Sequence, residues 1–122
     1  MKKLLILIVV SVMISAGCSS SKYTDKIEKA VNQQQIYQKH LAQKQEGDAH
    51  KKFDKKEANI YVYEKGKYVT LAYKPLKEDA EVHYYTYEFK NGNAKYLSGF
   101  NSKGYTQTHE ADYKEENMNM NE

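Results

Sequence analysis

From Ala58 to Phe100 the chain reads as four short alternating runs divided by turn residues, and that rhythm leaves few folds open. The runs are Ala58–Glu64 (ANIYVYE), Lys67–Lys74 (KYVTLAYK), Ala80–Lys90 (AEVHYYTYEFK) and Asn93–Phe100. Lys65-Gly66 marks a tight turn after the first, Pro75–Asp79 a turn after the second, and Asn91-Gly92 a turn after the third. Asn-Gly between alternating runs is the strongest short hairpin signal, because both residues tolerate the positive φ that a two-residue turn demands. Three successive hairpin links predict an antiparallel meander. Side chains alternate across a strand. Val69, Leu71 and Tyr73 therefore oppose Tyr68, Thr70 and Ala72, while His83, Tyr85, Tyr87 and Phe89 oppose Val82, Tyr84, Thr86 and Glu88.

A sheet with one apolar face needs a cover, and the sequence supplies one upstream. Residues Asp25–Glu46 predict a single helix, with Asp25 and Glu28 at capping-box spacing and Gly47 as its stop. Tyr23, Ile27, Ala30, Gln34, Tyr37 and Leu41 recur in steps of three and four and so share a face; Val31 and Ile36 widen it. The charged connection Asp48–Lys56 has no periodicity, and Phe53 is the residue expected to dock it. The fold class is thus α+β: one long helix packed on a four-stranded antiparallel meander.

The first residues predict an address. Lys2 and Lys3 precede an apolar run from Leu4 to Ile14, and Ser15, Ala16 and Gly17 lead to Cys18. A basic start, an apolar stretch and a small-residue site form a signal peptide. The run is shorter than the ~20 residues that span a bilayer. Small residues before a cysteine resemble the lipobox of bacterial lipoproteins, with Ser15 standing where leucine is more usual. Cleavage between Gly17 and Cys18 followed by diacylglycerol attachment at Cys18 is the expectation, with palmitate-type chains holding the domain on the extracytoplasmic face of the cell membrane. Cys18 is the only cysteine, so no intramolecular disulfide is available. The expected division is a signal peptide at 1–17, a lipidated cysteine and tether at 18–22, a folded domain at 23–113 and a disordered acidic tail at 114–122. Four tether residues reach at most ~14 Å.

Composition narrows the function classes. The net charge of +3 includes Lys2 and Lys3, so the mature chain is nearly neutral, and every one of its basic residues is lysine. The absence of arginine argues against nucleic acid, whose phosphates and bases favour the guanidinium fork. His40, His50, His83 and His109 show no metal-ligand spacing, so no metal and no cofactor are expected. Gly-x-Ser-x-Gly and phosphate-cradling loops are absent, and with Cys18 lipidated no nucleophile–base–orienter set remains. The expectation is a protein that is not an enzyme. Glu88 is the one strand carboxylate with a conceivable acid–base role.

The stretches ANIYVYEKGKYVTLAYKP (58–75), YYTYEF (84–89), FNSKGY (100–105) and DYKEENMN (112–119) resemble a family of small lipoproteins of Gram-positive cocci with a cystatin-like fold. The resemblance covers nearly the whole chain. It implies a helix wrapped by a sheet and an exported address, and it implies no activity. The Gln-x-Val-x-Gly hairpin of protease-inhibiting cystatins does not occur; Gln33-Gln34-Gln35-Ile36-Tyr37 lies in the predicted helix and lacks both Val and Gly at the required places.

Tyrosine is the compositional anomaly: 12 residues, eight of them between Tyr61 and Tyr96. Tyrosine is rigid and amphipathic, which suits it to interfaces. Tyr61, Tyr63, Tyr85 and Tyr87 are the expected binding face of a non-enzymatic interaction module with an unknown protein or envelope partner. The competing expectation is a small-ligand-binding, cone-like pocket with weak acid–base chemistry. A cavity between helix and sheet distinguishes the second from the first.

Overall fold

The computed structural model describes the backbone of residues 2–45, 47–78 and 80–118, and side chains from residue 22 onward. Gly17 and Cys18 lie outside the residues whose side chains are described. Helix α1 spans Lys2–Lys44. Strands β1 (Asn59–Tyr63), β2 (Tyr68–Tyr73), β3 (His83–Lys90) and β4 (Asn93–Tyr96) follow as the predicted meander. A short helix α2 (Ser102–Thr108) and a fifth strand β5 (Tyr113–Glu116) complete the chain. The sheet has five antiparallel strands in the order β4-β3-β2-β1-β5.

Three expectations change here. The meander is one strand larger than predicted, and the segment read as a disordered tail from Lys114 opens with most of β5. Acid-rich composition hid a half-wet edge strand. Tyr113 and Glu115 pair with Val62 and Ile60 on the α1 side, and the Tyr113 ring lies 6.1 Å from that of Tyr23. Asn59 Oδ1 accepts from the Met118 N–H at 2.9 Å, and the Asp112 N–H donates to the Val62 carbonyl at 2.7 Å. Asp25 is likewise not an N-cap. Helix α1 runs through it, and its carboxylate sits 3.4 Å from the Lys29 ammonium one turn on.

The hairpin turns follow backbone sterics. Asn91 (φ 53) and Gly92 (φ 78) are both left-handed, as a two-residue turn between twisted strands requires. The β1–β2 link is more strained than the tight turn expected of Lys65-Gly66, because Glu64 (φ 49), Lys65 (φ 56) and Gly66 (φ 96) are successive left-handed residues. Three contacts hold it. The Lys65 N–H donates to Asp112 at 2.7 Å, the Lys26 ammonium donates to the Gly66 carbonyl at 3.0 Å, and the Tyr105 hydroxyl donates to Glu64 at 2.9 Å.

Apolar burial concentrates between α1 and the sheet. Ile27 and Ala30 from α1 meet Ile60, Val62, Val69 and Leu71, all at most 3% exposed. Phe53 docks the connecting segment as predicted: it is 2% exposed and its ring lies edge-on to Tyr73 at 4.6 Å. The opposite face of the sheet is not left open. Helix α2 lies across it, with Tyr105 packed edge-on against Tyr63 at 5.0 Å. Beneath it the Thr86 hydroxyl links Thr70 (2.8 Å) to Ser102 (2.6 Å).

Candidate functional site

Register decides where each tyrosine goes. Tyr61 opposes Thr70 and Tyr63 opposes Tyr68, which places this pair on the α2 side. Tyr85 opposes Leu71 and Tyr87 opposes Val69, which places that pair under α1. The four tyrosines expected to form one binding face therefore divide two and two between opposite faces. Tyr63, Tyr85 and Tyr87 are 2%, 6% and 3% exposed and belong to the packed interior. Tyr61 is half-buried, and its hydroxyl donates to Glu116 of β5 at 3.3 Å. Burial, with the Glu116 carboxylate adding to it, pushes Tyr61 up to about 12.

The space between α1 and the sheet is filled, and its filling is partly polar. Gln34 and Gln38 sit one helical turn apart and are fully buried. The Tyr87 hydroxyl donates to Gln34 Oε1 at 2.6 Å, and Gln34 Nε2 donates to the Tyr73 hydroxyl at 2.9 Å. Tyr73 passes the chain on to Gln38 Oε1 at 2.6 Å, and Gln38 Nε2 ends it on the carbonyls of His50 (2.7 Å) and Pro75 (3.1 Å). Each buried polar atom thus has a partner, as low-dielectric burial requires. Burial also holds Tyr73 and Tyr87 well above the ordinary tyrosine range, so both act as neutral donors. The core-facing row on α1 is therefore Tyr23, Ile27, Ala30, Gln34, Gln38. Tyr37 falls outside that row.

Tyr37 instead contributes to the surface. Among the described residues the exposed large apolar side chains are Ile36 (54%), Tyr37 (40%) and Tyr96 (43%), and all three border one groove between α1 and edge strand β4. Its floor is Tyr85 and Tyr87, with Gln33 and Gln34 along the wall. The rings interlock: Tyr37 to Tyr85 is 5.3 Å, Tyr85 to Tyr96 is 6.1 Å and Tyr87 to Tyr96 is 5.7 Å. The groove encloses about 180 Å³ and no charged side chain lines it. Other clefts are larger: two, of about 380 and 540 Å³, flank the 50–57 segment and are walled largely by lysine, aspartate and glutamate, and two shallower ones, of about 390 and 410 Å³, adjoin Tyr96 and Ile36. Sequence reasoning placed Ile36 and Tyr37 on the buried stripe and gave Tyr96 no role. Their signal was the adjacency of Ile36-Tyr37, two bulky apolar residues about 100° apart that widen the stripe beyond the row Tyr23, Ile27, Ala30 and Gln34.

The remaining candidates scatter. Glu88 lies on the α2 side of the sheet, away from α1, with its carboxylate 3.5 Å from the Lys90 ammonium. The Glu88 side chain is 15% exposed and that of Lys90 69%. His109 stacks on Tyr105 at 3.7 Å, and His83 begins β3 beside Glu81. Among the described residues, no three His, Cys, Asp or Glu side chains gather as a metal site, and no helix is long and apolar enough to cross a membrane.

Comparison with known proteins agrees with this architecture. Residues 23–117 match the family described as a domain of unknown function with cystatin-like fold (DUF4467). The crystal structure of a DUF4467 family protein from Staphylococcus aureus subsp. aureus Mu50 superimposes with a TM-score of 0.73 and 26% sequence identity, over 80% of this chain and 99% of that one. No curated protein matches the chain.

Proposed function

We propose a function for a chain that belongs to the DUF4467 family, a domain of unknown function with a cystatin-like fold: it is a lipid-anchored, extracytoplasmic interaction module that docks a protein partner through the groove between α1 and β4. The lipobox-like residues Ser15–Cys18 support the anchor. The observation that carries the docking role is the gathering of Ile36, Tyr37 and Tyr96, the large apolar side chains left exposed among the described residues, around one slot.

The size of that slot favours a protein over a small molecule. Ligand pockets commonly measure about 300–1,000 Å³. At about 180 Å³ the slot accepts a single side chain. Interfaces draw most of their energy from such buried anchors ringed by aromatic residues. The pocketed, cone-like alternative requires empty space between helix and sheet, where Gln34, Gln38, Tyr73 and Tyr87 stand.

The test places a photo-crosslinking residue at position 36 of the anchored chain in cells, with position 107 on α2 as the comparison. A discrete protein adduct from position 36, absent from position 107, is expected. Equal labelling from both positions, or none from 36, overturns the reading.

A further inference from the structure

Strand β4 is an outer strand of the sheet, and its hydrogen-bonding pattern is fixed by the turn before it. In a two-residue hairpin the flanking pair, Lys90 and Asn93, exchanges both main-chain bonds, and bonded pairs then alternate along the ladder. Glu88 and Lys95 form the next bonded pair, and the Leu97 N–H reaches the Thr86 carbonyl at 2.9 Å. The N–H and C=O groups of Ala94 and Tyr96 therefore point away from β3. No hydrogen bond from another part of the chain meets them among the described residues. The same Tyr96 supplies one wall of the aromatic slot, and Lys95 between them lies exposed on the opposite face, across from Glu88, with no ion-pair partner within 4 Å among the described residues.

We propose that β4 accepts an extended strand from a partner protein, pairing with Ala94 and Tyr96, whose side chains alternate between an apolar or aromatic anchor that enters the slot and an acidic residue that faces Lys95. The proposal rests on the groove reading above and adds the conformation and chemistry of the partner segment. An added strand places the residue opposite Tyr96 on the α1 side, beside Ile36 and Tyr37, and the residue opposite Lys95 on the other side. In the register centred on Lys95, charge selects against a second copy of this chain as occupant. Symmetric pairing of two β4 strands about Lys95 sets two ammonium groups opposite each other, and like charges directly opposed across strands repel. A lone lysine is also a common guard on a sheet edge; here it filters for acidic partners while the apolar slot beside it stays open.

The experiment titrates the full-length chain in detergent micelles with a short acetylated peptide alternating valine and tyrosine with glutamate. NMR and amide hydrogen exchange provide the readout. Expected are shifts confined to β4 and the slot, with new exchange protection at the Ala94 and Tyr96 amides. Ala94→Pro removes an outward donor without touching the β3 ladder, and is expected to weaken binding roughly tenfold. Lys95→Glu, which leaves β4 intact, is expected to reverse the preference toward a peptide carrying lysine in place of glutamate. Shifts elsewhere, unchanged affinity in Ala94→Pro with an intact spectrum, no charge reversal in Lys95→Glu, or self-association through β4 each overturn the proposal. Crosslinks from position 36 that persist in Ala94→Pro cells would remove strand pairing and keep the groove; their absence in the unmodified chain removes the groove itself.

Discussion

Gln34 shows how much one side chain can organise. It sits where a helix buried on a sheet would ordinarily carry leucine, and it receives a hydroxyl from Tyr87 while donating to Tyr73. Replacing it with leucine leaves the Tyr87 proton without an acceptor and removes the donor to Tyr73. Gln34→Leu is expected to cost about 1–3 kcal/mol in urea unfolding. Adding Tyr87→Phe should recover part of that loss, a coupling visible in a double-mutant cycle. Tyrosine burial also predicts alkaline instability. Tyr61 and Tyr105 are pushed up to about 12, by burial first and by a neighbouring carboxylate second, and Tyr73, Tyr85 and Tyr87 are raised further by burial. A raised tyrosine pKa means that the unfolded chain gives up its proton first. Stability is therefore full below pH ~10 and falls as pH climbs above it. Tyrosinate absorbance in a pH titration should rise cooperatively with loss of near-UV dichroism, rather than residue by residue near pH 10.

At the scale of elements, β5 separates composition from conformation. Lys114–Glu116 reads as solvated tail, yet Tyr113 docks beside Tyr23 and four residue pairs join β5 to β1. Ending the chain after Ala111 strips that ladder and exposes the edge of β1. A loss of at least about 2 kcal/mol is expected in denaturant unfolding, whereas a disordered tail would leave stability unchanged. The meander itself was legible, because Asn91-Gly92 and strict alternation are local signals that do not depend on what the strands meet. The helix was legible as a helix, and Tyr23, Ile27, Ala30 and Gln34 of its predicted stripe are buried; the stripe fails only beyond them, where Gln38 looks solvated until Tyr73 and the Pro75 carbonyl are known to face it. Tyr61, Tyr63, Tyr85 and Tyr87 were misjudged for a related reason. Their faces depend on register between strands, and register is a long-range property that alternation within one strand does not contain. Ile36, Tyr37 and Tyr96 are 60 positions apart at their widest, so their groove exists only once β4 reaches the sheet edge beside α1.

For the whole molecule, the anchor and the groove make separate claims. Cys18→Ala is expected to release the chain from the membrane fraction and abolish palmitate incorporation, while leaving the melting temperature of the domain unchanged; retention of the variant in the membrane would sink the anchor. The domain is held as one body along α1. Lys26 and Lys29 of this helix donate to the Gly66 and Gly92 carbonyls, which cap the β1–β2 and β3–β4 turns. Farther along, Gln34 and Gln38 fasten the same helix to Tyr73, Tyr87 and the connecting segment.

That spacing of polar fastenings has a mechanical meaning. A load applied at the N-terminal end of α1 travels along the helix axis and reaches the sheet as shear. It must then strain the lysine clamps and the glutamine–tyrosine chain together, rather than peel them one at a time. Sliding α1 by one turn would bring Ala30 to the place of Gln34 and leave the tyrosine hydroxyls facing a methyl group. The helix is thus keyed to a single axial position, and a pull along α1 meets its polar fastenings all at once.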